Sequence, residues 1–193
     1  MTFWDFYILT IIVIYLAAFF VRNLKTYFTI KKSIRGRSLK LTVSLVLSTI
    51  IYVITLTNIF LPDFQSLFGK ITILDISIIK YIGYGLLPLA LIIGLAALFE
   101  MQNSWRVGIK HDQKTDLVTT GIYAFSRNPY FLSYDLLFLG IFLIFPSLLL
   151  LILTLALASV FHLMIKEEEK YLDEVHGKSY QMYKKKVGRY FVF

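Results

Sequence analysis

The stretch YFLSYDLLFLGIFLIFPSLLLLILTLALASVFHLMI, residues 130–165, decides the fold. Two apolar runs, Tyr130–Phe145 and Ser147–Ile165, flank Pro146, and Asp135 and His162 are their only ionisable residues. Runs of this length and apolarity read as helices that cross a bilayer's hydrocarbon. Proline has no N–H and cannot continue a helix. With almost no residues between them, the two runs are predicted to form a tight antiparallel helical hairpin.

Three further apolar blocks lie toward the N-terminus. The first is Phe3–Val21, with Asp5 near its outer end; the second is Leu41–Leu61, closed by Pro62 and Asp63. The third runs from Ile76 to Phe99, with Lys80 near its start and Gly83, Gly85, Pro88 and Gly94 along it, residues that permit close helix packing or a kink. The first block is not preceded by basic residues or ended by a small-residue cleavage pattern, so it reads as a retained helix. The expectation is an all-α polytopic membrane protein of about five transmembrane helices, with a cytosolic lid and a C-terminal helix. The chain, 1–193, reads as one membrane domain: 1–99 holds three spans, and 100–193 gathers the polar residues around helix ends.

Composition agrees. Of 193 residues, 58% are hydrophobic and 17% aromatic, and the formal charge is +8. The absence of cysteine excludes disulfides, thiolate metal sites and a cysteine nucleophile. His111, His162 and His176 lie far apart and form no ligand-spaced pair, so no metal is expected. Of the twenty Lys and Arg residues, seven fall in 22–40, four in 100–129 and seven in 166–193, which five spans place on one side. That bias predicts a cytoplasmic C-terminus and lid with the N-terminus outside. The positive charge then faces anionic membrane lipid rather than nucleic acid.

Chemistry is expected in the second half. Residues 100–130 are too long for a simple linker, and Trp105, Val107, Ile109, Leu117, Val118, Ile122, Tyr123 and Phe125 favour a packed lid. Gly121 suggests a turn where backbone approaches something closely, or an ordinary turn glycine. Arg127-Asn128-Pro129-Tyr130 sets a guanidinium and an amide before a proline suited to a first helical turn, where an anion can sit; Arg127 alternatively anchors the interface on lipid phosphate. Glu167-Glu168-Glu169 follows the last span. These carboxylates either cap the basic segment, with pairs such as Glu174–Lys178, or face inward on a cationic or hydroxyl-bearing ligand. Asp135 and His162, ionisable within or near the spans, are functional candidates, although Asp135 can also be hydrated or paired at the interface.

The order of these motifs resembles the isoprenylcysteine carboxyl methyltransferase family and its relatives among phospholipid methyltransferases. The residues concerned are Asn103-Ser104-Trp105-Arg106-Val107-Gly108, Leu117 to Tyr123, Arg127-Asn128-Pro129-Tyr130, Glu168-Glu169-x-x-Leu172 and Gly177-x-x-Tyr180-x-x-Tyr183, over roughly residues 100–190. Asn128 stands where the family has histidine, and Tyr130 comes one place early. The first three helices carry no such signature.

The resemblance implies a membrane enzyme that moves a methyl group from S-adenosylmethionine, leaving S-adenosylhomocysteine, to a lipophilic acceptor that enters laterally from membrane lipid. Its motifs fall on Arg127, Asn128, Pro129, Tyr130, Glu168 and Glu169, with the last five on the cofactor and Arg127 and Glu168 in catalytic roles; Trp105 and Tyr123, whose aromatic faces suit a cation, and Gly121, at its turn, join the expected cofactor site, and Asp135, able to take a proton from an amine or thiol, joins the catalytic candidates. A prenylcysteine-type carboxylate is the first acceptor to consider. A phospholipid, or a small lipophilic amine or thiol, is the second. A non-catalytic membrane protein or small transporter that keeps the fold is the reading from another class.

Overall fold

The computed structural model describes residues 1–31, 36, 38–106, 108 and 116–191. Val107, Ile109 and His111 lie outside the described residues. Six α-helices carry the fold: α1 Phe3–Ile30, α2 Leu39–Phe60, α3 Ser77–Met101, α4 Pro129–Ile144, α5 Leu148–His176 and α6 Lys178–Lys186. No strand is present among the described residues; one isolated bridge joins Lys70 to Ser147. Four helices, α1, α2, α3 and α5, are long and apolar enough to cross a membrane, and α4 is a shorter apolar helix. All-α polytopic architecture is therefore as the sequence predicts.

The helices outrun the apolar blocks that announce them. α1 starts on a capping box, in which Asp5 N donates to Thr2 Oγ1 and Thr2 N to Asp5 Oδ2; this assigns Asp5 a local structural task. At its other end α1 continues nine residues past Val21. α5 has 29 residues, about 43 Å, of which the apolar part ends at Ile165; Lys166–Lys170 are all charged and lie beyond the hydrocarbon. α4, with 16 residues, is about 24 Å long, because Pro129 occupies its first turn and Pro146 follows its end.

α4 lies at the centre of the bundle. It forms the expected hairpin with α5 through Phe145–Ser147, yet it packs most extensively on α3. The reason is steric: a Cβ on Gly83 would stand 2.8 Å from the Gly140 carbonyl, so glycine lets the two backbones meet. Ile8, Ile51, Leu87, Leu137, Ile141 and Leu150 are fully buried around this contact, while Phe20, Val53, Ile92 and Leu155 face outward, where lipid covers them.

At one end of the bundle, Ile71 N donates to Pro146 O at 2.8 Å and Leu148 N to Gly69 O at 2.8 Å, tying the α2–α3 connection to the hairpin turn. Lys70 and Lys80 both pair with Asp75, at 2.5 Å each, and these hydrogen bonds hold the Asp75 carboxyl below its usual range. The two basic residues that depart from the charge bias thus share one local counter-charge. Residues 116–128 and 166–191 gather at the other end.

Pro88 sits inside α3 and leaves the Tyr84 carbonyl without its helical donor. Tyr7 Oη supplies one from α1, at 3.0 Å. Tyr7→Phe is expected to cost about 1 kcal/mol in a thermal melt of the detergent-solubilised protein. Pro88→Ala in the same background restores the backbone donor and should recover most of that loss; no recovery would refute this role.

Candidate functional site

Glu169 begins the site. It lies on α5 one turn past Ile165 and is 5% exposed, a position an unpaired carboxylate does not tolerate. Four donors meet it. Arg189 Nη2 reaches Oε2 at 2.8 Å, and Arg189 Nε reaches Oε1 at 3.1 Å. Arg127 Nη2 lies 3.0 Å from Oε1, and Asn128 Nδ2 lies 3.4 Å from it. Burial works to raise the Glu169 pKa, but the hydrogen bonds and charges of Arg189 and Arg127 outweigh it, and the carboxyl is held below its usual range.

The approach to α4 is built to present these groups. Asn128 precedes Pro129 and makes no side-chain cap. Its N–H donates to Ser126 Oγ at 3.1 Å, and Nδ2 donates to the Arg189 carbonyl at 3.1 Å as well as to Glu169. This position supplies two hydrogen bonds from an uncharged amide; with two guanidinium groups already on one carboxylate, a further cation there would meet like charge. Arg127 does not reach out to lipid phosphate: its side chain is 8% exposed. Only its Nη2 is engaged, and Nε and Nη1 are buried without partners.

Glu168 points elsewhere. Successive residues of a helix lie about 100° apart, and while Glu169 faces Arg127 and Arg189, Glu168 lines a cavity of about 520 Å³ between α2, α4 and α5. Leu41, Phe131 and Met164 make an apolar part of its wall; Glu167, Glu168, Glu174 and Lys170 make a charged part. Glu167 also pairs with Lys40 across to α2, and Glu174 pairs with Lys170 at 4.0 Å. Burial, then the neighbouring Glu169, push the Glu168 carboxyl up to about 7. The two adjacent glutamates are therefore held in opposite protonation preferences.

The predicted aromatic residues form a separate cluster behind the polar hub. Trp105 is 3% exposed; its Nε1 donates to Asn23 Oδ1 at 2.8 Å, and its ring packs edge-on against Tyr130, 4.8 Å between centroids. Tyr130 in turn meets Tyr134, with hydroxyls 3.3 Å apart. These two rings tie α1 and α4 to the lid. Tyr123 lies closer to the carboxylates: burial, then Glu168, push its hydroxyl well above the usual tyrosine range, and that hydroxyl is buried without a partner. Gly121 has φ +58°, and a Cβ there would lie 2.2 Å from Glu100 Oε1; the close approach expected of it is to Glu100.

The Gly177-x-x-Tyr180-x-x-Tyr183 spacing has a plain structural meaning. Gly177, at φ +50°, turns the chain from α5 into α6. Tyr180 and Tyr183 then share one face of α6, and Tyr183 Oη donates to the Tyr123 carbonyl at 2.6 Å. Asp135 is half-buried, one turn deeper than Phe131 on α4. His162 Nδ1 and Tyr190 Oη are 2.8 Å apart. Sequence reading missed Arg189, Tyr190, Ser126, Asn23 and Glu100; the Arg-Tyr pair at 189–190 was the available signal. Among the described residues no group of three His, Asp or Glu is placed to hold a metal ion.

The phospholipid methyltransferase family model matches residues 78–179, 102 of the 193 residues. The chain belongs to the phospholipid methyltransferase family. It is a membrane methyltransferase by that membership, which embraces the isoprenylcysteine carboxyl methyltransferases as well. The match begins on α3, so the family signal extends into a helix whose sequence showed none, and α3 is the helix on which α4 packs. No curated protein matches the chain.

The methyltransferase's two glutamates should respond oppositely to amidation. A carboxyl whose folded pKa is raised from 4.5 to about 7 destabilises the fold increasingly as pH climbs through that window. Glu168→Gln should therefore leave the melting temperature unchanged at pH 4 and raise it at pH 8. Glu169→Gln should lower it at both, with a loss of stability of about 3 kcal/mol, because two guanidinium groups lose their counter-charge. Equal behaviour of the two variants would overturn this division.

Proposed function

We propose that this methyltransferase takes its methyl group from S-adenosylmethionine and delivers it to a lipophilic amine, a phospholipid headgroup or a simpler membrane amine. The observation that carries the reading is the cavity that Glu168 lines, one residue along α5 from Glu169, apolar at Leu41, Phe131 and Met164 and charged at Glu167, Glu168, Glu174 and Lys170. Three carboxyl groups face one lysine in that lining, and Lys170 is already paired with Glu174, so a prenylcysteine carboxylate would meet an excess of like charge there. An ammonium on an apolar tail finds complementary surfaces.

The residues present fit the cofactor. Its carboxylate matches the unpartnered Nε and Nη1 of Arg127, and the α4 N-terminus, uncapped by a side chain, adds favourable backbone N–H groups. The buried hydroxyl of Tyr123 is a donor for ribose or carboxylate. Asn128, Pro129 and Gly121 hold these groups in place, while Trp105 and Tyr130 back them by packing. When bound, S-adenosylmethionine supplies an electrophilic methyl group, and no covalent nucleophile is required.

An amine acceptor arrives protonated and must lose a proton before its nitrogen can attack. Glu168, on the cavity wall with a pKa near 7, is suited to take it; Asp135, deeper on α4, is the second candidate. Arg127 and Glu169 fix the donor and α2, α4 and α5 exclude water around the acceptor, so positioning supplies much of the rate. The Lys and Arg bias supports placing the lid and C-terminus in the cytoplasm and the N-terminus outside.

Calorimetric titration of the detergent-purified protein with S-adenosylhomocysteine is the first test. One site per chain is expected, weakened in Arg127→Ala and kept in Glu168→Gln, whose carboxyl lines the acceptor cavity; no binding by folded protein would favour the non-catalytic reading. Labelled methyl donor is then offered with phosphatidylethanolamine vesicles, dodecylamine or farnesylcysteine. Label in the amines, with a rate that rises as pH passes through about 7, is the expected outcome. Base-labile methyl ester on farnesylcysteine alone would overturn the amine assignment, and a pH-independent rate would remove Glu168 as the base.

A further inference from the structure

Resting on that reading of the cofactor site, a further role falls to Arg189, which lies beyond the residues matched by the family. After α6 the chain crosses back over the start of α4. Arg127 N donates to Gly188 O at 3.1 Å. The Arg189 carbonyl accepts from Ser126 Oγ at 3.3 Å and Asn128 Nδ2 at 3.1 Å. The turn is tight: a Cβ on Gly188 would stand 1.8 Å from the Phe191 carbonyl. Backbone atoms therefore hold this strap, and the Arg189 side chain is free to do something else.

What it does is occupy Glu169. A guanidinium facing a lone carboxylate makes two parallel hydrogen bonds, and that arrangement is the strong one. Two guanidiniums compete here for a single carboxylate. Arg189 holds the bidentate position, with Nη2 on Oε2 and Nε on Oε1, and Arg127 is left with one contact, Nη2 on Oε1 at 3.0 Å. Nε and Nη1 of Arg127 are thereby kept buried and unpaired, a costly state for donors that have no ligand to meet.

We propose that Arg189 is a positioning residue: by holding both oxygens of Glu169 from the C-terminal strap, it keeps two donors of Arg127 free for the cofactor's carboxylate. Without the Arg189 side chain, Glu169 turns both oxygens to one edge of Arg127 and consumes one of those donors. Arg189 itself touches no part of the ligand.

A double-mutant cycle on S-adenosylhomocysteine binding tests this, read by calorimetry rather than turnover. Arg189→Ala should weaken binding at least tenfold. Arg127→Ala should weaken it at least as much, and the double variant should bind no worse than Arg127→Ala, since Arg189 acts only through Arg127. Arg189→Lys, which places one nitrogen where two were, should lose less and should likewise add nothing in the Arg127→Ala background; it carries the cycle if Arg189→Ala fails to fold. Unchanged affinity in Arg189→Ala overturns the inference. So does the same fold loss with and without Arg127, which is the mark of a general structural effect. Failure of the wild type to bind overturns instead the cofactor reading on which the inference rests.

Discussion

One buried carboxylate organises the functional end of this molecule. Glu169 would be intolerable where it is without charge to oppose it, and the residues that supply the charge come from two places: the approach to α4 and the strap after α6. Meeting that need fixes the strap against the hairpin and sets the orientation of Asn128. It also determines which atoms of Arg127 remain uncommitted. The site is thus a by-product of neutralising Glu169, and α3, by holding α4 through the Gly83–Gly140 contact, gives the arrangement a fixed base.

The neighbouring Glu168 shows how little sequence distance a change of chemistry requires. One residue of helical rotation moves a carboxyl from two guanidinium groups to a cavity wall partly apolar and partly acidic. The first glutamate is stabilised as an anion; the second is pushed toward neutrality. A structural anion and a titrating group suited to proton transfer therefore stand side by side on one helix, and neither needs a metal to set its charge.

Much of the architecture is legible in the sequence because hydrocarbon imposes simple rules. Apolar blocks must be helices, Pro146 must be a turn, and Lys and Arg mark one side. The true helix ends were less visible, since apolarity marks the edge of the hydrocarbon while α1 and α5 continue through polar residues as hydrogen-bonded helix. The site was legible in part: the order of Arg127-Asn128-Pro129 and Glu168-Glu169 indicates that they belong together. The opposite tasks of the two glutamates were not readable, because facing depends on where α2 and the strap come to rest. Gly121 announced a close approach without naming Glu100, which precedes it by 21 residues. Arg189 was hidden for the same reason: its partner is reached only after Gly177 turns the chain and α6 brings it back.

The brevity of α4 bears on the surrounding lipid. At about 24 Å it falls some 6 Å short of a typical hydrocarbon thickness, and prolines at both ends forbid it another turn. Because most of α4 is buried among the other helices, its neighbours and not lipid make up the missing length. α4 shares the hairpin end with α5, which runs about 43 Å, so its Pro129 end stops inside the protein, short of the level α5 reaches. On the proposed function, a lipid-borne acceptor meets the reacting groups in that recess between longer helices, with its tail still in oil.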